Sequence, residues 1–262
     1  MAFNKVDSFL FLPANPKHII LFRTLLALML CYVFAPRGLM PIFPLSNFPE
    51  LHAYLFSNWY YCLMYLLLIL FALGVKSQIT SFILFLVLLP HVFLIRGHLS
   101  KQVILCVLMC FVFIKTPPIW KAGQNSFQNS EISPMWPIRL IQIQLTLVYG
   151  INALAKTNFE YLSGEALVYM SMGYPNFHID LSDGYLHLNS IKIPAYLMAV
   201  SSVLTEYFLA VGFWFKRTKW IAVVVGVLFH FSLTFILTIF MLDYVSIFLY
   251  LSFIIPFKLK TV

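Results

Sequence analysis

Apolar residues run along this chain in long uninterrupted blocks separated by short polar breaks, without the strict alternation that marks strands. Eight such blocks are bounded by Pro, Gly or charge: about His18 to Ala35, Ser57 to Gly74, Ile79 to Ile95, Gln102 to Ile114, Pro137 to Ala155, Pro194 to Phe215, Trp220 to Met241 and Tyr244 to Phe257. A membrane span needs about 20 largely apolar residues, so the pattern predicts an all-α, polytopic transmembrane helix bundle of about eight spans. The fourth and eighth blocks are short, which tilt, flanking residues or partial burial would accommodate. Pro137 and Pro194 suit first-turn positions, where a missing N–H costs nothing. Pro90 predicts a kink just ahead of His91. No internal repeat or linker interrupts the chain, so residues 1–262 read as a single transmembrane domain with no soluble C-terminal domain.

Composition narrows the class. Hydrophobic residues make up 61% and charged residues 10%, with mean hydropathy +0.90, against roughly 25% charged in soluble proteins. A water-soluble globule and a disordered chain are excluded. The +8 net charge is scattered in ones and twos, with no basic stripe, so no nucleic-acid partner is expected. With eight spans, eleven of the 17 Lys and Arg fall on one side and five on the other, Arg23 lying within the first span. The positive-inside rule then puts both termini in the cytoplasm. The outer side receives six of the nine acids and the longest connection, Lys156 to Ile193. All four cysteines lie in apolar runs without a CxxC, and read as lipid-facing or core thiols. No cleavage site follows the first apolar run, so it is expected to stay as a span.

Polar residues that hydrocarbon should exclude locate the chemistry. Arg23, Glu206 and His230 fall inside predicted spans, where an ionisable group costs at least about 2.5 kcal/mol and must face protein or water. They mark function, or an Arg23–Glu206 ion pair ties the bundle together; the two are compatible. At 100° per residue, Gln142, Tyr149, Asn152 and Lys156 share an arc of about 80°, a stripe expected to climb to the outer membrane surface. An ammonium there either reaches water along its stem or is sheltered in an apolar pocket, where the neutral amine can serve as a base. His230, Thr234 and Thr238 repeat at i, i+4, i+8 on the seventh run, for interhelical hydrogen bonds or for a site. Asn176, His178, Asp180, Asp183 and His187 lie within twelve residues. No standard metal spacing is met and Ser-Asp-Gly is a turn signal, so a loop or hairpin tip capping the site is expected there, with no metal.

Three segments carry a resemblance: LFRTLLALMLCYVFAPRGLM (Leu21 to Met40), WPIRLIQIQLTLVYGINALAKTNFEYLSG (Trp136 to Gly164) and LFHFSLTFILTIFMLDYVSI (Leu228 to Ile247). They share an arginine early in the first helix before an Arg-Gly turn, a Gln-x-Gln…Tyr…Ala-x-x-Lys stretch with a following Leu-x-Gly, and a histidine on the seventh helix. In that order they resemble the membrane domain of vitamin K-dependent gamma-carboxylase and its bacterial relatives, the HTTM proteins.

The resemblance implies a chemistry. In the carboxylase a lysine deprotonates reduced vitamin K, which reacts with O2 to give an alkoxide strong enough to take a glutamate γ-proton; CO2 adds there and the quinone leaves as its epoxide. Counting back from Gly164, that lysine is Lys156, with Ala155 where the family has a second lysine. A family histidine in the outer loop before the fourth helix corresponds to His98 in IRGHLSK, either donating to the developing oxyanion or standing as an exposed loop histidine. Gln142, Tyr149, Asn152, His230, Arg23 and Glu206 are the residues expected to bind the quinone or substrate. The implied cofactor is reduced vitamin K or a menaquinol-like quinone, with O2 and CO2 as co-substrates; the implied partners are the bilayer, a quinone-type lipid and a secreted or lumenal peptide. The implied location is a bacterial cell membrane with the active side outward. The animal enzyme continues into a long lumenal portion that recognises a propeptide, whereas this sequence stops at Val262, so propeptide recognition by that route is not expected. Two other roles stay open: a non-catalytic maturation or immunity partner of a secreted peptide toxin, and a transporter. The transporter reading rests on Glu206, His230 and the Pro-bearing third run, without the repeats such proteins carry.

Overall fold

A computed structural model describes residues 9–11, 14–34, 58–94, 99–121, 134–173, 187–188, 191–236 and 240–255. Its elements are α1 (Pro16–Val33), α2 (Asn58–Leu73), α3 (Ser77–Leu94), α4 (Leu99–Val112), a 3₁₀ turn (Ile119–Lys121), α5 (Trp136–Lys156), α6 (Phe159–Leu162), α7 (Glu165–Gly173), β1 (His187–Leu188), β2 (Ile191–Lys192), α8 (Ile193–Gly212), α9 (Lys219–Ile236), α10 (Phe240–Leu249) and α11 (Leu251–Ile254). The fold is helical apart from β1 and β2, which pair antiparallel with His187 opposite Lys192. By length and apolarity α1, α5 and α8 can each cross a membrane, and five further apolar helical stretches are shorter. Large apolar side chains stand exposed along single helix faces, Leu140, Leu147, Ile151 and Leu154 on α5 and Leu197, Leu204 and Val211 on α8. Apolar stripes on that scale are the signature of a lipid-facing surface.

The chain divides into two compact units, residues 1–141 with 254–262, and residues 142–253. In the first, Pro16 opens α1 behind Asn15, whose side chain accepts from the Lys17 N–H at 3.1 Å, a standard N-cap. Phe22, Leu26 and Leu30 recur at helical spacing on the buried face of α1, as do Met64, Leu68 and Phe71 on α2. Phe111 of α4 stacks on Phe22, and its edge meets Phe71. Side-chain donors reach carbonyls of neighbouring helices, Tyr60 to Val87 O (2.9 Å), Gln78 to Val112 O (2.8 Å) and Ser81 to Leu108 O (2.7 Å). In hydrocarbon such bonds fasten helices that burial alone does not drive together.

In the second unit α8 packs on α9 and α9 on α10, while α6 and α7 lie along α8. The sequence treats 156–193 as a connection, yet two short helices form in it. Asn158 caps α6 by accepting from the Tyr161 N–H at 2.8 Å, and Glu165 stands in the first turn of α7. Between them Gly164 has φ +83°, and a Cβ there would come within 2.6 Å of the Ala195 carbonyl carbon, so only glycine lets the chain turn this close to α8. Leu167 and Val168 of α7 then pack on Ala195 and Ala199 of α8.

The seventh block is described as α9 up to Ile236; residues 237–239 lie outside the described residues, and α10 starts at Phe240, ahead of Tyr244. The eighth breaks at Tyr250, whose N–H is shared between Ser246 O and Ile247 O, the tightened geometry of a helix end. Pro90 lies inside α3, which runs on to Leu94. The four cysteines are free thiols, as expected.

Candidate functional site

Six of the expected site residues, Gln142, Tyr149, Asn152, Lys156, Glu206 and His230, fall in the second unit, and Arg23 in the first. His98 lies outside the described residues. So does the 174–186 segment with Asn176, His178, Asp180 and Asp183; of that cluster only the His187 backbone is described, as the start of β1.

Arg23 is fully buried and its environment is local. One guanidinium nitrogen donates to Thr116 Oγ1 and to Pro117 O (3.2 Å), the other to Ala72 O (3.2 Å) near the C-terminal end of α2. The Thr116 hydroxyl passes on to Ser77 Oγ at 2.8 Å. The carbonyls at a helix C-terminus lack intrahelical donors and carry partial negative charge, which suits a cation. Within its own unit Arg23 places its Nη donors on neutral oxygens, its buried Nε having no partner among the described residues, and Glu206 pairs with a residue of the second unit.

That partner is Lys156. Its Nζ donates to Glu206 Oε1 at 2.7 Å; the glutamate side chain is 5% exposed and the lysine side chain 30%. The Tyr161 ring, from α6, lies 5.5 Å from the same nitrogen, within cation–π range. One residue further along each helix, the Tyr207 hydroxyl donates to Thr157 Oγ1 at 3.0 Å while Thr157 donates to Ala153 O. Two consecutive polar ties thus fasten the end of α5 to α8. Glu206 Oε2 is buried with no hydrogen-bond partner among the described residues. A carboxylate accepts several hydrogen bonds when ionised, so an oxygen left without one marks a place for a donor.

The pair has a definite place along the two helices. Lys156 does end α5, but Glu206 follows Ile193 by thirteen residues on α8, about 20 Å of helix rise from its first turn. The segment after Lys156 climbs back along α8 to reach Ala195 and Ala199. The amine therefore sits beside the part of α8 around Glu206, away from its first turn, and it is held by a carboxylate in place of reaching freely for water.

Below the pair the stripe is buried as its arc predicts. Tyr149 Oη lies 2.7 Å from His230 Nε2 and 2.5 Å from Tyr250 Oη, all three residues buried. Gln142 donates to Ser252 O at 2.6 Å, and Asn152 is half-buried between Tyr149 and Lys156. Tyr250 was not foreseen, being one aromatic in an apolar run. Its seat depends on Gly226, where a Cβ would lie 2.6 Å from Tyr250 Oη. Gly226 and His230 are four apart on α9, so a ring laid over the glycine meets the imidazole one turn on. Thr234 donates back to Phe231 O of its own helix (2.7 Å), so it makes no interhelical bond through its hydroxyl donor; Thr238 lies outside the described residues. Among the described residues no group of three or more His, Cys, Asp or Glu could hold a metal.

Apolar helices with lipid-facing stripes, enclosing a buried acid–amine pair and a phenol–imidazole cluster, define a helical membrane protein with an internal polar site. The model of the HTTM domain matches residues 11–256, nearly the whole chain, and the protein belongs to the HTTM family, which is associated with vitamin K-dependent carboxylase-like membrane proteins. No curated protein and no solved structure matches it.

Proposed function

We propose that this HTTM protein is a membrane enzyme in which the Lys156 amine takes a proton from a reduced quinone, reduced vitamin K or a menaquinol-like lipid. Reaction of the quinolate with O2 then drives CO2 addition to, or another modification of, a peptide or lipid. The observation that carries this reading is the half-buried amine at the end of α5, held against a buried carboxylate well away from the start of α8. A hydroquinone, like a phenol, yields its proton only near pH 10 in water, so a base must be poised beside it where water is scarce. A site at this depth suits a ring delivered through lipid. On this reading Asn152, Tyr149 and His230 bind the quinone, and His98 is the donor that the family likeness assigns to the oxyanion. On the same reading all eight apolar helices cross a bacterial cell membrane, both termini are cytoplasmic, and the site opens outward.

The test is oxygen uptake by the purified full chain in lipid vesicles given a short-chain menaquinol. Lys156→Ala is expected to abolish uptake while the protein stays monodisperse and folded; uptake unchanged in that variant overturns the reading. The second reading, a non-catalytic membrane partner of a secreted peptide, has its own support in Phe159 and Tyr169 of α6 and α7, 84% and 65% exposed. It takes over if Lys156→Ala leaves biological activity intact.

A further inference from the structure

We infer that Glu206 is the acceptor of the Lys156 proton: the pair rests as ammonium and carboxylate, and when a ligand shuts out water it converts to neutral amine and carboxylic acid. This rests on the catalytic reading of Lys156, because it explains how an ion-paired ammonium becomes a base at all.

The step is balanced within the pair. One Nζ–H bond breaks and one O–H bond forms on the carboxyl group along the 2.7 Å hydrogen bond, the electron pair of the broken bond stays on nitrogen, and no net charge moves. The amine lone pair then takes the ligand hydroxyl proton, leaving ammonium, carboxylic acid and the ligand oxyanion.

Three features favour the transfer. First, among the described residues Glu206 is solvated as a carboxylate by one donor, Oε2 being buried without a partner; a neutral carboxylic acid loses far less by such burial than an anion does. Second, the ammonium is the better served half at rest, with 30% of the lysine side chain exposed and the Tyr161 ring at 5.5 Å. A ring-bearing ligand that covers this exposed part removes the water that stabilises the charged pair, and in a dry interior an ion pair repays its desolvation poorly. Third, among the described residues the groups facing the carboxylate are few: Lys156 from α5, and His230 from α9 within electrostatic range. Tyr207 of α8 is engaged by Thr157. Glu206 is thus a positioning residue, acting through the amine.

Infrared difference spectroscopy on the full chain in vesicles, with and without a short-chain menaquinol, tests this directly. Expected is a carboxylic-acid C=O band that appears on quinol addition, shifts in D2O, and is lost in Glu206→Gln. It is lost also in Lys156→Arg, because a guanidinium does not release its proton. Glu206→Asp, which keeps the acid, is expected to retain a weaker band if Glu206→Gln does not fold. A band that persists in Glu206→Gln or in Lys156→Arg overturns the inference. So does a wild type that consumes oxygen with the quinol but shows no band, and in that case the catalytic reading stands. A wild type with the band and no oxygen uptake supports the inference while the catalytic reading falls; neither band nor uptake overturns both.

Discussion

Arg23 in the first unit and Glu206 in the second are both almost wholly buried, yet their polar atoms end in different company. The guanidinium places its Nη atoms on a hydroxyl and two carbonyls, and its Nε has no partner among the described residues. The carboxylate gives one oxygen to an amine that keeps part of its surface open, and its other oxygen has no partner among the described residues. An arginine held by neutral oxygens cannot exchange its proton with them, so its charge serves to gather chain ends. A carboxylate against an amine has two electrical forms of similar geometry, and an unfilled acceptor position besides. Burial at membrane depth is therefore no guide to function by itself; what the buried group is paired with decides.

The strongest way to break that contrast is to exchange the expected phenotypes. Lys156→Ala should lower quinol-dependent oxygen uptake by about 10²-fold or more, the range for losing a general base, with a fall in melting temperature limited to the one acceptor, Glu206 Oε1, that loses its donor. Arg23→Ala should do the reverse, because buried acceptors stripped of their donor cost about 1–3 kcal/mol each. For a chain of this size that is a fall in melting temperature on the order of 10 °C, with the remaining folded protein still active. Arg23→Lys should recover only part of the loss, since one ammonium cannot span the Thr116, Pro117 and Ala72 oxygens. Equal stability losses in the lysine and arginine variants would erase the distinction between the two nodes.

Much of this was legible in the chain. Eight apolar blocks became eight apolar helical stretches because block length and bounding Pro, Gly and charge are local signals. The stripe on α5 was legible because helical periodicity fixes which residues share a face, and Tyr149 and Gln142 are buried as it requires. Partners were not. Arg23 and Glu206 have opposite charge and similar rarity, so sequence pairs them; only the fold brings Lys156 of α5 and Glu206 of α8 to 2.7 Å. Tyr250 joined the site through Gly226, and a missing Cβ on one helix says nothing of which ring will occupy the gap. The short helices α6 and α7 did carry signals, the Asn158 cap and the Gly164 turn, which a loop-like composition obscured.

The inner cluster sharpens the comparison at smaller amplitude. Gly226→Ala would push a methyl against Tyr250, an overpacking of about 1–3 kcal/mol, and displace the phenol from Tyr149. Its effect should shrink in a Tyr250→Phe background, where there is no hydroxyl at the 2.6 Å approach; such a coupling in a double-mutant cycle is direct evidence of contact. Additive effects would mean that Tyr250 is seated elsewhere. Because this cluster holds its polar atoms against one another, as the Arg23 node does, the expected loss is in stability before activity.

The smallest effect is expected one residue past the amine. Thr157→Val removes the hydroxyl that accepts from Tyr207 and donates to Ala153 O, about 0.5–1.5 kcal/mol for a bond at a partly exposed site, and keeps the volume and the branching. It loosens the same fastening between α5 and α8 that the ion pair makes, without touching charge. If the site worked merely by clamping two helices, Thr157→Val and Glu206→Gln would slow oxygen uptake alike. Because a proton must leave Lys156, the first should change uptake less than about twofold, a fraction of a kcal/mol on the barrier, while the second abolishes the acid band and most of the rate. Parallel losses in the two variants would reduce the Lys156–Glu206 pair to a structural tie of the same kind as Arg23.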